Sequence, residues 1–376
     1  MFIALKNQPS KKLHLFGGTV MQTPGVWKAR SNSPDLRTCG FAFLVLVSNL
    51  GLLSTASATD PLGSVTASAV SCSSVRGGGG VPGGTCYKAI VTCPGINDIP
   101  VAVKVNQPIG TSIGTVIFES GGGGDTWYDT HFTYGATAIK DVMAAGYSGV
   151  QFAFEYPPLG SGNSKQFTGF LTGPGGPRAL ACRFTTILQW AHDTIRTADT
   201  PFCGTGQSGG SAALGYAIAD YGMAPEINML EMGSGPPFAR IDQGCLCKGE
   251  TVQNPCATGT ITMCYQREAG VFLDPSYNNT ACSRAEQTHH SPREAQFLHD
   301  SLNSTDATYN FPTTNIHLVF GGLDGTVGVA QGMTWAGVIT GSSPPTVECV
   351  ADAGHRIPDV LDGATKIADD IIAFCH

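Results

Sequence analysis

Phe202-Cys203-Gly204-Thr205-Gly206-Gln207-Ser208-Gly209-Gly210 decides how this chain is read. It contains Gly206-x-Ser208-x-Gly210, a pattern that places a serine on a tight turn between a strand and a helix. Backbone on such a turn is strained, and the flanking glycines let neighbouring chain approach without Cβ clashes, so the serine Oγ projects outward. With 49 glycines in 376 residues, the same letters also describe an ordinary glycine turn, and the flanking chain has to decide. Residues 201–205 read as a short strand. Residues 211–221, with Ala212, Ala213, Leu214, Tyr216, Ala217 and Ile218, read as an apolar helix.

Working outward, strand and helix alternate. β-rich runs cover 87–93 and 101–105, joined by a Pro-Gly turn, and 114–119 reads as a short buried strand running into Ser120-Gly121-Gly122-Gly123-Gly124. The spacing predicts helices over 133–145 and 178–196, with a strand at 150–154 between them. Further strands are expected at 227–231, 316–320 and 347–350, and helices near 328–338 and 360–374. This rhythm implies an α/β fold with a mainly parallel central sheet flanked by helices, and ligands at the carboxyl ends of its strands. The rhythm stops between 235 and 312, a stretch holding five cysteines and many turn residues. It reads as a disulfide-rich cap inserted into a catalytic domain spanning 59–376, while 59–85 reads as an irregular lead-in.

The first 58 residues read as a targeting segment. Lys6, Lys11, Lys12, Lys28, Arg30 and Arg37 precede the apolar run from Phe41 to Leu53, and Ala56-Ser57-Ala58 supplies a small-x-small cleavage pattern. Met21 is an alternative start. The apolar run is short for a membrane span, so cleavage and export, extracellular or periplasmic, are expected over anchoring. The remainder carries a formal charge of −12 against −7 for the whole chain, which argues against nucleic acid or anionic membranes as partners. Outside the leader stand 12 cysteines, an even number that reads as disulfides whose pairing the sequence leaves open. Cys245-x-Cys247 lacks the paired spacing of structural zinc, and neither a metal nor another cofactor is expected. Asn278-Asn279-Thr280 and Asn303-Ser304-Thr305 are glycosylation sequons in a eukaryotic secretory route.

A serine nucleophile needs a base to take its proton and an acid to orient that base. His355 follows the last strand in a glycine-containing loop, whereas His131, His192, His299 and His317 have no such placement. His289-His290 read as a solvated pair. Asp324, in Gly321-Gly322-Leu323-Asp324-Gly325, leaves a strand end and is the expected orienter, with Glu231 second. An oxyanion formed at a carbonyl needs N–H donors, and Gly209 at a helix start can be one. The glycine run after Ser120 can supply the other. Trp127, Tyr128, Gln207 and Phe238 are the candidate substrate contacts.

The order Ser208…Asp324…His355, the elbow and the glycine-rich loop together resemble the α/β-hydrolase fold over roughly residues 87–375, the insertion excepted. The resemblance implies Ser208 as nucleophile, His355 as base and acid, Asp324 as orienter, and Gly122, Gly123 and Gly209 as oxyanion donors. Ser120 stands where the HGGG-type esterase loop has its histidine. The expected activity is a secreted serine hydrolase of carboxylic esters, aromatic or polymeric ones included; in outline the layout resembles extracellular feruloyl esterases, tannases and polyester depolymerases. A serine peptidase of the same fold and a non-catalytic binding protein are the alternatives.

Overall fold

The computed structural model describes residues 59–75, 78–154, 169–266, 268–341 and 343–376. The expected targeting segment therefore lies outside the described residues. Nine strands form one sheet: β1 (Ser64–Val70), β2 (Thr85–Thr92), β3 (Ile99–Asn106), β4 (Gly114–Glu119), β5 (Tyr147–Phe154), β6 (Phe202–Gln207), β7 (Met229–Gly233), β10 (Asn315–Gly321) and β11 (Thr346–Val350). β8 (Thr251–Gln253) and β9 (Thr260–Thr262) pair separately. The order across the large sheet is β1-β2-β3-β5-β4-β6-β7-β10-β11. The first four strands in that order pair antiparallel, and from β5 to β11 every pair is parallel.

The helices are α1 (Tyr128–His131), α2 (Gly135–Ala144), α3 (Pro177–Thr194), α4 (Gly209–Ala219), α5 (Ile241–Leu246), α6 (Asp274–Tyr277), α7 (Ala281–Thr288), α8 (Glu294–His299), α9 (Val327–Ala336) and α10 (Leu361–Phe374). One core layer packs Ile117, Phe152 and Phe154 against Phe184, Ile187 and Leu188 of α3 and against α4. The other packs Val116, Phe118, Met229 and Val319 against Ile139 of α2 and against Ile367 and Ile371 of α10. Every residue of β4 is buried, as a parallel strand covered on both faces requires. α4 is buried on all sides, which explains why its sequence is apolar without a polar face. This mainly parallel, doubly covered sheet, with its serine elbow between β6 and α4, is the α/β-hydrolase fold.

One expectation changes. Residues 64–70 are not irregular lead-in but the edge strand β1, paired along its whole length with β2. Their Ser, Thr and Ala side chains carry little hydrophobic alternation, so tertiary pairing decides the conformation. Ahead of β2, Lys104 holds residues 78–81 from beneath: its Nζ donates to the Gly78 carbonyl at 2.6 Å and pairs with Asp129 at 3.2 Å, with both side chains fully buried.

All 12 cysteines from Cys72 onward pair: Cys72–Cys86, Cys93–Cys182, Cys203–Cys375, Cys245–Cys282, Cys247–Cys264 and Cys256–Cys349. Two of these lie within the 235–312 segment, and Cys256–Cys349 ties that segment to β11. The segment is built from α5 to α8 and the β8–β9 ribbon. Among the described residues no helix is long and apolar enough to cross a membrane.

Candidate active site

The sheet reverses its winding direction at β4, because the chain passes from β4 to β5 on one side and then to β6 on the other. Loops leaving β4 and β6 therefore diverge over a crevice at their carboxyl ends, where such sheets hold ligands. The glycine loop leaves β4 there and the elbow leaves β6 beside it. Ser208 has φ 55° and ψ −113°, a region that side-chain-bearing residues rarely occupy and that persists only when the surroundings impose it. They do so by close backbone approach. A Cβ on Gly206 would stand 2.5 Å from the Gly210 carbonyl carbon, and one on Gly209 would stand 1.9 Å from the Gly122 oxygen.

Asp324 follows β10 and His355 follows β11, so neighbouring strands deliver both to the elbow. His355 Nε2 lies 2.9 Å from Ser208 Oγ, and Nδ1 lies 3.1 Å from Asp324 Oδ2. The Thr326 hydroxyl is also 3.0 Å from Nδ1, and the Thr326 amide donates to Asp324 Oδ1 at 2.9 Å. Burial alone would raise the Asp324 carboxyl, but hydrogen bonds from His355 and the Thr326 amide, with the His355 charge, hold it below the usual range. The ring is therefore fixed with one nitrogen on a carboxylate and the other on the serine hydroxyl.

A cavity of ≈ 290 Å³ opens on Ser208. Its apolar walls are Phe132, Pro237, Phe238, Tyr265, Phe272 and Val327. Gly121, Gly122, Gly209, His131, Gln207, Glu268 and Arg356 supply the polar part. Pro237 to Phe272 all come from the 235–312 segment. Tyr265 is fixed by its hydroxyl, which donates to the Pro237 carbonyl at 2.7 Å. Gly209 is the first residue of α4, whose opening amides have no carbonyl within the helix to bind.

Several expected residues fall elsewhere. Gly123 does not line the cavity: it is buried, and its carbonyl accepts from the Phe170 amide at 2.8 Å, leaving Gly121 and Gly122 at the surface of the site. Trp127 and Tyr128 are core. The buried Lys104–Asp129 pair draws this turn inward, so Trp127 packs on Val75, Cys86, Ala102 and Ala153, and Tyr128 packs edge-on against Phe118 and Phe132. Gln207 lines the cavity, but its amide is committed to the histidine loop, with Nε2 donating to the His355 carbonyl and Oε1 accepting from the Ile357 amide. Phe238 is in the wall as expected. Glu231 is buried on β7 with no hydrogen-bond partner and does not meet His355.

His131 is the residue that sequence reasoning missed. Its Nδ1 lies 2.9 Å from the Thr126 hydroxyl. A Cβ built on Gly121 would lie 3.7 Å from His131 Nε2 and 3.9 Å from Ser208 Cβ, so this imidazole faces the nucleophile. Burial, then the Arg356 charge, lowers its pKa and keeps it neutral. A histidine in a short helix after a glycine run carries no spacing signal that would have revealed this.

No protein-family model matches this chain, and no curated protein matches it. Solved structures similar to it include an alpha-beta serine hydrolase homologue from Coxiella burnetii (13% identity, covering 76% of this chain and 96% of that one, TM-score 0.41). Est1E from Butyrivibrio proteoclasticus is similar at 11% identity over 78% of this chain and 97% of that one, with a TM-score of 0.44. A monoacylglycerol lipase from Paleococcus ferrophilus is similar at 15% identity over 73% and 98%, with a TM-score of 0.40. The fold assignment stands on strand order and the elbow.

Proposed function

We propose that this chain is a secreted serine hydrolase that cleaves carboxylic esters through an acyl-enzyme. The observation that carries the reading is the continuous contact Ser208 Oγ–His355 Nε2–Asp324 Oδ2, at 2.9 and 3.1 Å, opening on an apolar cavity. Ser208 Oγ attacks the ester carbonyl carbon while His355 Nε2 takes the hydroxyl proton. Asp324 fixes the ring so that Nδ1 keeps its proton and Nε2 has a lone pair for the serine. The carbonyl oxygen becomes an oxyanion, and the amides of Gly209 and of the Gly121–Gly122 turn are the candidate donors to it.

Collapse of this intermediate breaks the ester C–O bond, with His355 returning its proton to the leaving alkoxide. Water then attacks the acyl carbon by the same route, releasing the acid and restoring Ser208. The neutral His131, held through Thr126, offers Nε2 to an oxygen of the bound ester. In this reading 235–312 is the cap: its Phe238, Tyr265 and Phe272 form an aromatic wall that suits an apolar or aromatic acyl group. Export is supported by the basic and apolar leader pattern of 1–58 and by six paired disulfides.

The test is a panel of p-nitrophenyl esters of short, long and aromatic acids set beside aminoacyl and prolyl amides, with Ser208→Ala as control. Ester turnover that Ser208→Ala abolishes is expected. Amide cleavage far exceeding ester cleavage would make the protein a peptidase, and ester turnover unchanged in Ser208→Ala would overturn the mechanism.

A further inference from the structure

Away from the cavity, on the sheet face covered by α10, the fold gathers ionisable side chains that the proposed reaction does not use. His317 on β10 stands in register with Glu231 on β7, and Glu348 on β11 stands in register with Val319, two residues on from His317. Side chains alternate along a strand, so all three project toward the same helix. From α10, Lys366 and Asp370 meet them.

The hydrogen bonding in this cluster is one-sided. Lys366 Nζ reaches Glu348 Oε1 at 2.7 Å and Asp370 Oδ1 at 2.6 Å. Glu348 Oε2, Asp370 Oδ2 and His317 Nδ1 are buried and make no hydrogen bond within 3.5 Å; their nearest approach is to one another, with His317 Nδ1 3.6 Å from Glu348 Oε2. Each residue offers a lone-pair atom, and one such atom from each of His317, Glu348 and Asp370 lies within 4.8 Å of the other two. His317 and Asp370 are each only 4% exposed. Phe374 packs on the imidazole with ring centres 4.5 Å apart and fixes its plane. Glu231 is fully buried, and neither of its oxygens has a partner either. Native proteins rarely leave several buried polar atoms unpaired in one spot, because each forfeits its hydration for nothing.

We propose that His317, Glu348 and Asp370 are the ligands of a divalent transition-metal ion of the zinc class, with Glu231 beside them as a further carboxylate. One imidazole nitrogen with carboxylate oxygens suits zinc, whereas calcium and magnesium prefer all-oxygen sets. Glu348 and Asp370 against Lys366 leave one negative charge, which draws a cation. Lys366 then holds the carboxylate oxygens that face away from the metal, as outer partners of metal ligands do. β10 runs on to Asp324, β11 runs on to His355, and α10 follows the histidine loop, so the ion ties together the elements that carry the acid and the base.

The experiment reads binding and stability, not turnover, so it is independent of the ester reading. The purified secreted chain is stripped with chelator, dialysed, and titrated with ZnCl2 by calorimetry, and its thermal midpoint is followed in parallel. One zinc per chain with a raised midpoint is expected, and no shift with CaCl2 or MgCl2 at the same concentration. His317→Gln and Glu348→Gln should each weaken zinc binding by at least about tenfold. Lys366→Met should keep zinc binding, with zinc restoring the midpoint that the variant loses in chelator. A wild-type crystal soaked in ZnCl2 gives the same answer without a variant, as an anomalous peak between β10, β11 and α10. Absence of saturable one-to-one zinc binding, binding unchanged in both His317→Gln and Glu348→Gln, or an anomalous peak elsewhere would overturn the site.

Discussion

A methyl group placed on Gly209 probes the oxyanion cradle at a single atom. It would stand 1.9 Å from the carbonyl oxygen of Gly122, 2.8 Å from its carbon and 3.0 Å from its nitrogen. Relief to ordinary contact requires the elbow and the glycine loop to part by about 1.5 Å, and no flexible side chain is available to yield instead. The displacement falls on the amides proposed to hold the oxyanion. A misplacement of about 1 Å can cost about 10²-fold, and loss of one such donor costs roughly 10²–10³-fold. Gly209→Ala should therefore lower kcat for a p-nitrophenyl ester by roughly 10²–10³-fold, with a much smaller change in KM. Gly121→Ala is the matched control. Its Cβ would meet the Gln207 carbonyl oxygen at 3.4 Å and His131 Nε2 at 3.7 Å, which is ordinary contact, so kcat should stay within about threefold. Steady-state kinetics on both variants, with thermal midpoints to confirm folding, decides. A folded Gly209→Ala with wild-type kcat, or a Gly121→Ala equally impaired, would refute the reasoning.

Four further outcomes follow from the geometry. Asp324→Asn should lower kcat by about 10³–10⁴-fold, because an amide favours the wrong imidazole tautomer. The Asp324 carboxyl is depressed in the folded state, so it stabilises above its unfolded pKa near 4 and loses that contribution as pH falls through the lower folded value. The variant should thus melt lower than wild type at pH 7, with the gap closing in strong acid. Asp220 has the opposite sign: burial outweighs the nearby Arg178 and raises it to about 8. The folded chain then keeps a proton that the unfolded chain releases, and stability falls as pH rises from about 4 to about 8, by at most about 1.4 kcal/mol per pH unit. Asp220→Asn should flatten that part of the melting profile. His131→Gln should cost about tenfold in kcat/KM, the worth of one hydrogen bond, and Thr126→Val less. Replacing Cys256 and Cys349 together by serine opens a crosslink between residues 93 apart and should lower unfolding free energy in urea by about 2–4 kcal/mol.

The strand–helix rhythm was readable because the central strands are buried on both faces and the helices beside them carry strong periodicity. Ser208, Asp324 and His355 were readable because each follows a strand end. What escaped the sequence lacks a local signal. β1 is made of small polar residues whose pairing is a long-range event. Trp127 and Tyr128 looked like pocket residues because they follow the glycine loop, yet the buried Lys104–Asp129 pair, joining residues far apart in the chain, turns them into the core. His131 reaches the cavity on that same turn. Gly121 lines the cavity while the Gly123 carbonyl is held by the Phe170 amide, a difference that no glycine-run pattern encodes. The aromatic wall from 235–312 depends on disulfide pairings that the cysteine spacing left open.

The central claim is that Ser208 is the nucleophile. The sharpest test is to incubate the purified protein with a fluorophosphonate and locate the adduct by peptide mass spectrometry. One phosphonate per chain is expected, on Ser208, with ester turnover lost in proportion to labelling and no adduct in Ser208→Ala. An adduct on another residue, or full ester turnover from a chain quantitatively labelled at Ser208, would contradict it.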